Sequence, residues 1–227
     1  PLTVEAMAEW ARQAKRGRGE PETWARRFQL LRPFARYLRQ FEPETEVPDK
    51  SVFGPVPGWR TPHIYRDGEI ADLLAAARGL GPAGDLRAAT YETLFGLIAA
   101  TGLRLSEAIH LLNADVDWTL GILTVRQTKF NKSRHLPLHP STVAALQNYR
   151  QLRNRHVVEA SEAPFFVGTR GKRQGKMLGT RQAERVFGVL RRQLGWATRG
   201  AHAAPRIHDL RHTFVVRRVL LWREQGV

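Results

Sequence analysis

Apolar residues recur every three to four positions along most of the chain, the period that places side chains on one face of an α-helix. The first such segment carries Val4, Met7, Trp10 and Ala11, with Thr3 before them as the predicted N-cap. The same period predicts eight helices in all, over residues 3–16, 21–41, 67–79, 85–101, 105–112, 140–153, 180–194 and 207–224.

The period changes between residues 116 and 138. The runs 121–126 and 135–138 each predict a strand, joined by a polar turn from Lys129 to Ser133. A further apolar run at residues 164–167 predicts a buried strand-like segment. The pattern therefore predicts a mostly α protein with a small antiparallel β-sheet.

Proline and glycine divide the chain into two parts. Residues 43–62 hold five prolines and two glycines, a composition typical of a stiff, extended linker. We predict a partial helical domain at residues 1–45, a linker at 46–62 and a second domain at 63–227. Two helices cannot enclose a core alone, so the first domain is expected to need partner helices upstream of Pro1 or support from the second domain.

The net charge indicates a polyanionic partner. The chain has 36 Lys and Arg against 21 Asp and Glu, a net charge of +15, and each phosphate that is neutralised releases condensed counterions. Codon bias in a GC-rich genome accounts for Arg in place of Lys, but not for the excess of bases over acids. From Arg170 to Arg218 the only acids are Glu184 and Asp209. A nucleic-acid partner is therefore expected.

Other classes of protein fit less well. The chain has no cysteine, which excludes disulfides and Cys-ligated metal sites. No apolar run approaches the roughly 18 residues that span a bilayer, and no secretory signal is evident. We expect a cytoplasmic protein that does not associate with membranes.

Four residues together suggest chemistry on a phosphodiester: Arg104, Lys129, His208 and Arg211. Two guanidinium groups would clamp one phosphate, a neutral histidine would move a proton, and a hairpin lysine would reach a leaving oxygen. Each has an ordinary alternative when taken alone, because an arginine after a glycine often starts a solvated helix and a lysine often lies in a turn.

A zinc site is the alternative for the histidines. His208 and His212 are four residues apart, but Asp209 follows the first histidine, where the metalloprotease motif has glutamate. We expect no metal.

Three segments carry a specific resemblance. They are residues 100–108 (ATGLRLSEA), 128–138 (TKFNKSRHLPL) and 207–214 (IHDLRHTF). In this order and at these separations they resemble the signatures of the tyrosine recombinase (phage integrase) family. The similarity covers residues 63 to 224, and the N-terminal helices are similar to part of the family's core-binding domain.

The resemblance implies a fold and a set of roles. The fold would be a partial helical, SAM-like core-binding domain followed by a catalytic domain with the DNA breaking-rejoining enzyme fold. Arg104 and Arg211 would bind the phosphate, Lys129 would protonate the departing 5′ oxygen with Lys132 as the alternative, and His208 would accept the proton of the nucleophile. Glu107 and His212 would support the site.

The resemblance also implies partners. These are a duplex recombination site and other copies of the same chain, with no metal or small-molecule cofactor. We expect the basic hairpin and the basic loop to contact DNA through Lys132, Arg134, Arg170, Lys172, Arg173, Lys176 and Arg181.

The family's nucleophile has no match in the chain. A tyrosine should follow the second arginine, but Tyr37, Tyr65, Tyr91 and Tyr149 all precede His208. We expect a fragment that cannot form the covalent 3′-phosphotyrosyl bond, whereas the parent protein does so with residues beyond Val227. Two alternatives stay open: a non-catalytic DNA-binding relative, and an RNA-binding basic domain.

Overall fold

The computed structural model describes residues 1–13, 21–49, 52–56, 58–126 and 133–226. These form two compact units, Pro1–Arg60 and Thr61–Val227. Lys129 and Lys132, the two lysines of the predicted site, lie outside the described residues. Among the described residues, no helix has both the length and the apolarity that crossing a membrane requires.

The first unit is built on two helices, α1 (Val4–Arg12) and α2 (Pro21–Leu38). The Thr3 hydroxyl caps α1 by accepting a hydrogen bond from the backbone N–H of Ala6 (3.2 Å). Met7 packs in a small core with Phe28, and Phe53 meets the Phe28 ring edge-on at 5.2 Å. Phe53 belongs to the segment for which the sequence predicts a linker, so part of that segment packs against the helices of this unit.

The second unit is mostly helical with one small sheet, as the sequence predicts. Its elements are α3 (Asp67–Arg78), α4 (Leu86–Thr101), α5 (Leu105–Ile109), β1 (Val116–Asp117), β2 (Ile122–Val125), β3 (Arg134–Pro137), α6 (Pro140–Asn154), α7 (Thr180–Gln193) and α8 (Ile207–Glu224). Short 3-10 turns lie at Asn113–Asp115 and Gly171–Arg173.

The sheet is antiparallel, in the order β1-β2-β3. Leu123 pairs with Leu136, and Val125 pairs with Arg134 next to the segment that connects the two strands. Leu123 and Val125 point into the core, as period-2 alternation requires. This register sets Arg134 at the first position of β3, directly after the segment that carries the two lysines.

Helix α4 forms the centre of the core. Tyr91, Leu94, Phe95 and Ile98 on this helix are almost fully buried, and α4 contacts α3, α6 and α8. A helix surrounded in this way is apolar on most of its faces. It ends at Gly102, whose φ of 67° is the left-handed conformation typical of a helix C-terminus.

Four predicted elements differ in detail from the structure. In the first unit, the helices predicted over residues 3–16 and 21–41 end at Arg12 and Leu38. The helix predicted over residues 105–112 ends at Ile109, because the Leu111 carbonyl accepts a hydrogen bond from the Phe165 N–H (2.7 Å). Phe165 and Phe166 are fully buried. Their segment is bound by two isolated β-bridges, Leu112 to Pro164 and Val167 to Met177, rather than by a continuous strand.

Candidate phosphate-binding site

The site begins at the junction of α4 and α5. The turn at Gly102 brings Arg104 to the N-cap of α5 and Glu107 to its third helical position. The Glu107 carboxylate accepts a hydrogen bond from the Arg104 backbone N–H (2.9 Å) and another from the Arg104 side chain (Nη1 to Oε1, 2.7 Å). The first bond satisfies an N–H that the helix itself leaves free, so the same carboxylate caps α5 and orients Arg104.

Two further arginines converge on Glu107. Arg134 donates two hydrogen bonds to it, Nη2 to Oε2 at 2.8 Å and Nη1 to Oε1 at 3.2 Å. Arg211, from α8, places Nη1 at 3.9 Å from Oε2. Only 7% of the Glu107 side chain is exposed, against 42% for Arg104, 35% for Arg134 and 26% for Arg211. One buried carboxylate is thus surrounded by three guanidinium groups that still reach solvent.

The charges around Glu107 shift its ionisation. Burial alone would raise the pKa of Glu107, but the hydrogen bonds from Arg134 and Arg104 outweigh it and lower the pKa to about 2. The pKa of the Arg211 guanidinium is lowered, first by burial and then by the neighbouring charge of Arg104. Glu107 is therefore an anion at any physiological pH, with cations crowded around it.

Arg211 is fixed by a second contact. Its Nη1 donates a hydrogen bond to the Gly102 carbonyl (2.5 Å), so α8 is tied to the turn that positions Arg104. A Cβ on Gly102 would clash with Cδ1 of Phe214. Both the positive φ and this close approach require glycine at position 102.

His208 lies in the first turn of α8, one turn before Arg211. Its ring meets the His212 ring edge-on, with the centroids 4.7 Å apart. Burial lowers the pKa of His208 below 6.5, and the charges of His212, Arg206 and Arg211 lower it further, against the opposing charge of Asp209. His208 is accordingly neutral at pH 7 and able to accept a proton.

The first turn of α8 is held in place by buried polar contacts. Asp209 is fully buried and pairs with Arg206 (2.8 Å between Nη2 and Oδ1). The Tyr65 hydroxyl donates to the Arg206 carbonyl (3.0 Å), and the Tyr65 N–H donates to the Thr213 hydroxyl (2.9 Å). The chain just before α3 thus anchors the helix that carries His208 and Arg211.

Arg104 and His208 share one open cavity of about 550 Å³. Arg191 and Arg206 also line it, and neither is among the site residues predicted from the sequence. The sequence does contain a pattern that indicates Arg206. It directly precedes α8 and is followed three residues later by the acidic Asp209, and Arg104 and Glu107 have the same spacing at the start of α5. No sequence pattern indicates Arg191, because the packing of α7 brings it to the cavity. There its Nη1 donates a hydrogen bond to the Pro205 carbonyl (2.9 Å).

The predicted DNA-contacting residues fall in two places. Five of them are exposed along one segment that runs from the 3-10 turn at Gly171–Arg173 into the first turn of α7, namely Arg170, Lys172, Arg173, Lys176 and Arg181. Arg134 instead belongs to the cluster around Glu107. No group of three or more His, Cys, Asp or Glu residues in the described part of the chain is arranged to hold a metal ion.

The chain belongs to the phage integrase family, whose sequence profile matches residues 65–218. The resemblance seen in the three sequence segments is thereby confirmed. A Sinorhizobium fredii protein named as an integrase/recombinase, y4rB, is 35% identical over 226 residues, which cover 98% of this chain and 70% of that protein. The tyrosine recombinase XerC of Chlamydia caviae is 29% identical over 210 residues, 90% of this chain and 60% of that protein.

The fold has the same relatives. The Tn1549 transposon integrase, solved in complex with a circular intermediate DNA, superposes with a TM-score of 0.68 at 16% sequence identity. The match covers 97% of this chain and 74% of that one. Since this chain spans only 60–70% of the two sequence relatives, the activity of a whole protein is a matter for proposal.

Proposed function

We propose that this chain is the core of a site-specific DNA recombinase, which binds duplex DNA and, in its full-length parent, cleaves and rejoins strands through a 3′-phosphotyrosyl intermediate. The observation that carries the proposal is the convergence of Arg104, Arg134 and Arg211 on Glu107. Guanidinium groups recognise phosphate oxygens in pairs of hydrogen bonds, and donors that are fixed beforehand stabilise charge as it develops in a transition state.

Each group has a defined part in the proposed reaction. A tyrosine oxygen, from residues beyond Val227 in the parent, attacks the phosphorus while His208 accepts its proton. Arg104 and Arg211 neutralise the charge that builds on the non-bridging oxygens. The bond to the 5′ oxygen breaks, and Lys129, or alternatively Lys132, supplies the proton to that oxygen. Attack by a 5′ hydroxyl on the phosphotyrosine reverses these steps and rejoins the strand.

The reaction so described uses only side chains. The arginines supply the positive charge that a metal would otherwise provide, so we propose that neither metal nor nucleotide cofactor takes part. The exposed basic segment from Arg170 to Arg181 would bind the DNA backbone and fix the register of the protein on its site. Strand exchange needs two cleaved duplexes together, so we propose that copies of the protein assemble on DNA.

We also propose the domain organisation that the sequence predicts: a partial core-binding domain at residues 1–45, a linker at 46–62 and a catalytic domain at 63–227. The cytoplasm is the proposed location, as it is where the DNA of a bacterial mobile element resides.

The test uses the parent coding sequence extended past Val227. The protein is incubated with a nicked duplex that carries the end of its element, and a denaturing gel is examined for a protein–DNA adduct. We expect an adduct that disappears when the downstream tyrosine is changed to phenylalanine. Arg104→Ala should abolish the adduct while duplex binding is retained. Salt-sensitive duplex binding without any adduct would instead identify a non-catalytic DNA-binding relative.

A further inference from the structure

Arg134 is expected from its sequence context to contact DNA, but its partly exposed side chain is bound to a buried carboxylate. Its two terminal nitrogens meet the two oxygens of Glu107, Nη2 to Oε2 at 2.8 Å and Nη1 to Oε1 at 3.2 Å. This is the bidentate geometry that only arginine provides, because a lysine ammonium is a single point of charge.

Glu107, the partner of Arg134, also contacts both candidate phosphate-binding arginines. Oε1 of Glu107 also accepts from the Arg104 side chain (2.7 Å), and Oε2 accepts from the Arg104 backbone (2.9 Å) and lies 3.9 Å from Nη1 of Arg211. The orientation of this carboxylate therefore determines where the Arg104 guanidinium points, and it places a negative charge beside Arg211, which the Gly102 carbonyl holds. Of the three arginines, Arg134 is the one that occupies both carboxylate oxygens through its side chain.

The position of Arg134 in the sheet adds a second link. It is the first residue of β3 and pairs with Val125 at the end of β2. Residues 127–132, with Lys129 and Lys132, lie between those two positions in the sequence. The contact with Glu107 thus ties one end of the lysine-bearing hairpin to the α4–α5 junction.

We propose that Arg134 is a positioning residue, which locks the Glu107 carboxylate and through it orients Arg104 and compensates the charge of Arg211 for phosphate binding, and which does not itself bind DNA. The role deepens the proposed function, on which it rests. A paired contact of Nη1 and Nη2 with a DNA phosphate would compete with Glu107 for Arg134, and the buried carboxylate would then lose two of its donors.

The decisive substitution is Arg134→Lys, because it keeps the positive charge and removes the pair of terminal nitrogens that bind both oxygens of Glu107. Phosphate binding to this chain is measured by titration with inorganic phosphate, followed by the guanidinium NMR signals of Arg104 and Arg211. We expect about tenfold weaker phosphate binding for Arg134→Lys, since the carboxylate is no longer held at both oxygens. In a Glu107→Gln background the same substitution should change the affinity by less than about twofold, because its effect passes through Glu107.

A matched control exists on the other strand of the hairpin. Arg126 directly follows β2 and pairs with Asp115, which is also buried. Both line a cavity that Glu107 also lines, but within the described residues no salt bridge joins Arg126 to Glu107. Arg126→Lys should therefore leave the affinity for phosphate unchanged. An equal loss from Arg134→Lys in the native and Glu107→Gln backgrounds would mean direct contact with phosphate and would overturn the proposal, as would no loss in either.

Cleavage by the full-length parent separates positioning from a general loss of structure. Arg134→Lys should slow adduct formation at saturating DNA with little change in duplex affinity. It should also make the rate fall in acid, because the pKa of Glu107 would rise towards its ordinary value. The charged groups that contact Glu107 in the described residues are Arg104, Arg134 and Arg211, and His110, Asp115 and Arg126 line a cavity beside it. A general folding defect would not produce a fall of the rate in acid that disappears in the Glu107→Gln background. If Arg134→Lys does not fold stably, Arg134→Gln takes its place in the same cycle.

The two proposals fail in different ways. If the native parent forms no adduct, the proposed recombination is wrong, while the phosphate titration of this chain still decides the role of Arg134. If the native parent forms the adduct and Arg134→Lys forms it at the same rate, the positioning role is wrong and the proposed recombination stands.

Discussion

The guanidinium of Arg211 donates a hydrogen bond to the carbonyl of Gly102, 109 residues earlier in the chain. This contact joins α8 to the turn between α4 and α5, so the two arginines that the sequence singles out share one backbone support. The turn itself depends on a glycine with a φ of 67°. The geometry of the site is consequently sensitive to a residue that has no side chain.

Gly102→Ala should destabilise the protein and weaken phosphate binding. The left-handed backbone costs a residue with a Cβ about 1–2 kcal/mol, and the new methyl would clash with the Phe214 ring. Gly84→Ala is the matched control, because Gly84 has a φ of 79° with no atom within 4 Å of its Cβ position. Urea unfolding should show a larger loss at position 102 than at 84; equal losses would mean that the Phe214 contact is unimportant.

Stability should fall in acid through Glu107. Its pKa is about 2 in the folded protein, against 4.5 for the free side chain, so the unfolded chain binds the proton more readily. The resulting stabilisation is fully present above pH 4.5 and is lost as the pH falls towards 2; a shift of this size corresponds to about 3 kcal/mol. The pKa of Glu69 is also lowered to about 2, mainly by its hydrogen bond with Arg199, so the difference between native protein and Glu107→Gln must be measured. A pH-independent difference would contradict the prediction.

His212→Gln should raise the pKa of His208. Burial is the main cause of the low pKa of His208, and the charge of His212 is the next cause. Removing the charge of His212 should therefore bring the pKa of His208 part of the way back to its ordinary value. An NMR pH titration of the His208 ring measures it directly. His156→Gln serves as the control, since His156 is an exposed residue near the end of α6. An unchanged His208 titration would show that the neighbouring ring has no electrostatic effect.

Loss of the basic segment should weaken duplex binding and its dependence on salt. Each phosphate contact adds about 0.9 to the slope of log affinity against log salt, so replacing the five exposed residues by glutamine should lower the slope by up to about 4.5. Arg78 and Arg150 already pair with Glu92 and Glu159, and replacing these two should change the slope little. An unchanged slope in the five-residue variant would mean that another surface of the protein binds the DNA backbone.

Local periodicity was sufficient to predict most of the fold. The helices α4, α6, α7 and α8 begin and end within a residue or two of the predicted positions, because their apolar faces, caps and glycines are all encoded nearby. The end of α5 was not predictable in this way. It is set by the pairing of Leu111 with Phe165, a contact between segments that are far apart in the chain.

Part of the membership of the candidate site was predictable from the sequence, but its arrangement was not. Motif spacing identified Arg104, Glu107 and Arg211, which the structure brings together. It could not distinguish a basic residue that faces solvent from one that faces a carboxylate, and Arg134 was grouped with the solvent-facing residues for that reason. The register of the hairpin against α5 decides between the two, and no local pattern carries that information.

Three cations around a single anion leave the Glu107 cluster with two uncompensated positive charges. In the free protein these charges repel one another at close range, and this repulsion opposes folding. A bound phosphate reduces this repulsion, so the release of electrostatic repulsion in the cluster contributes part of the affinity for DNA. The same balance makes the cluster a receptor for small dianions: sulfate or phosphate in a buffer should raise the melting temperature and compete with DNA for the site.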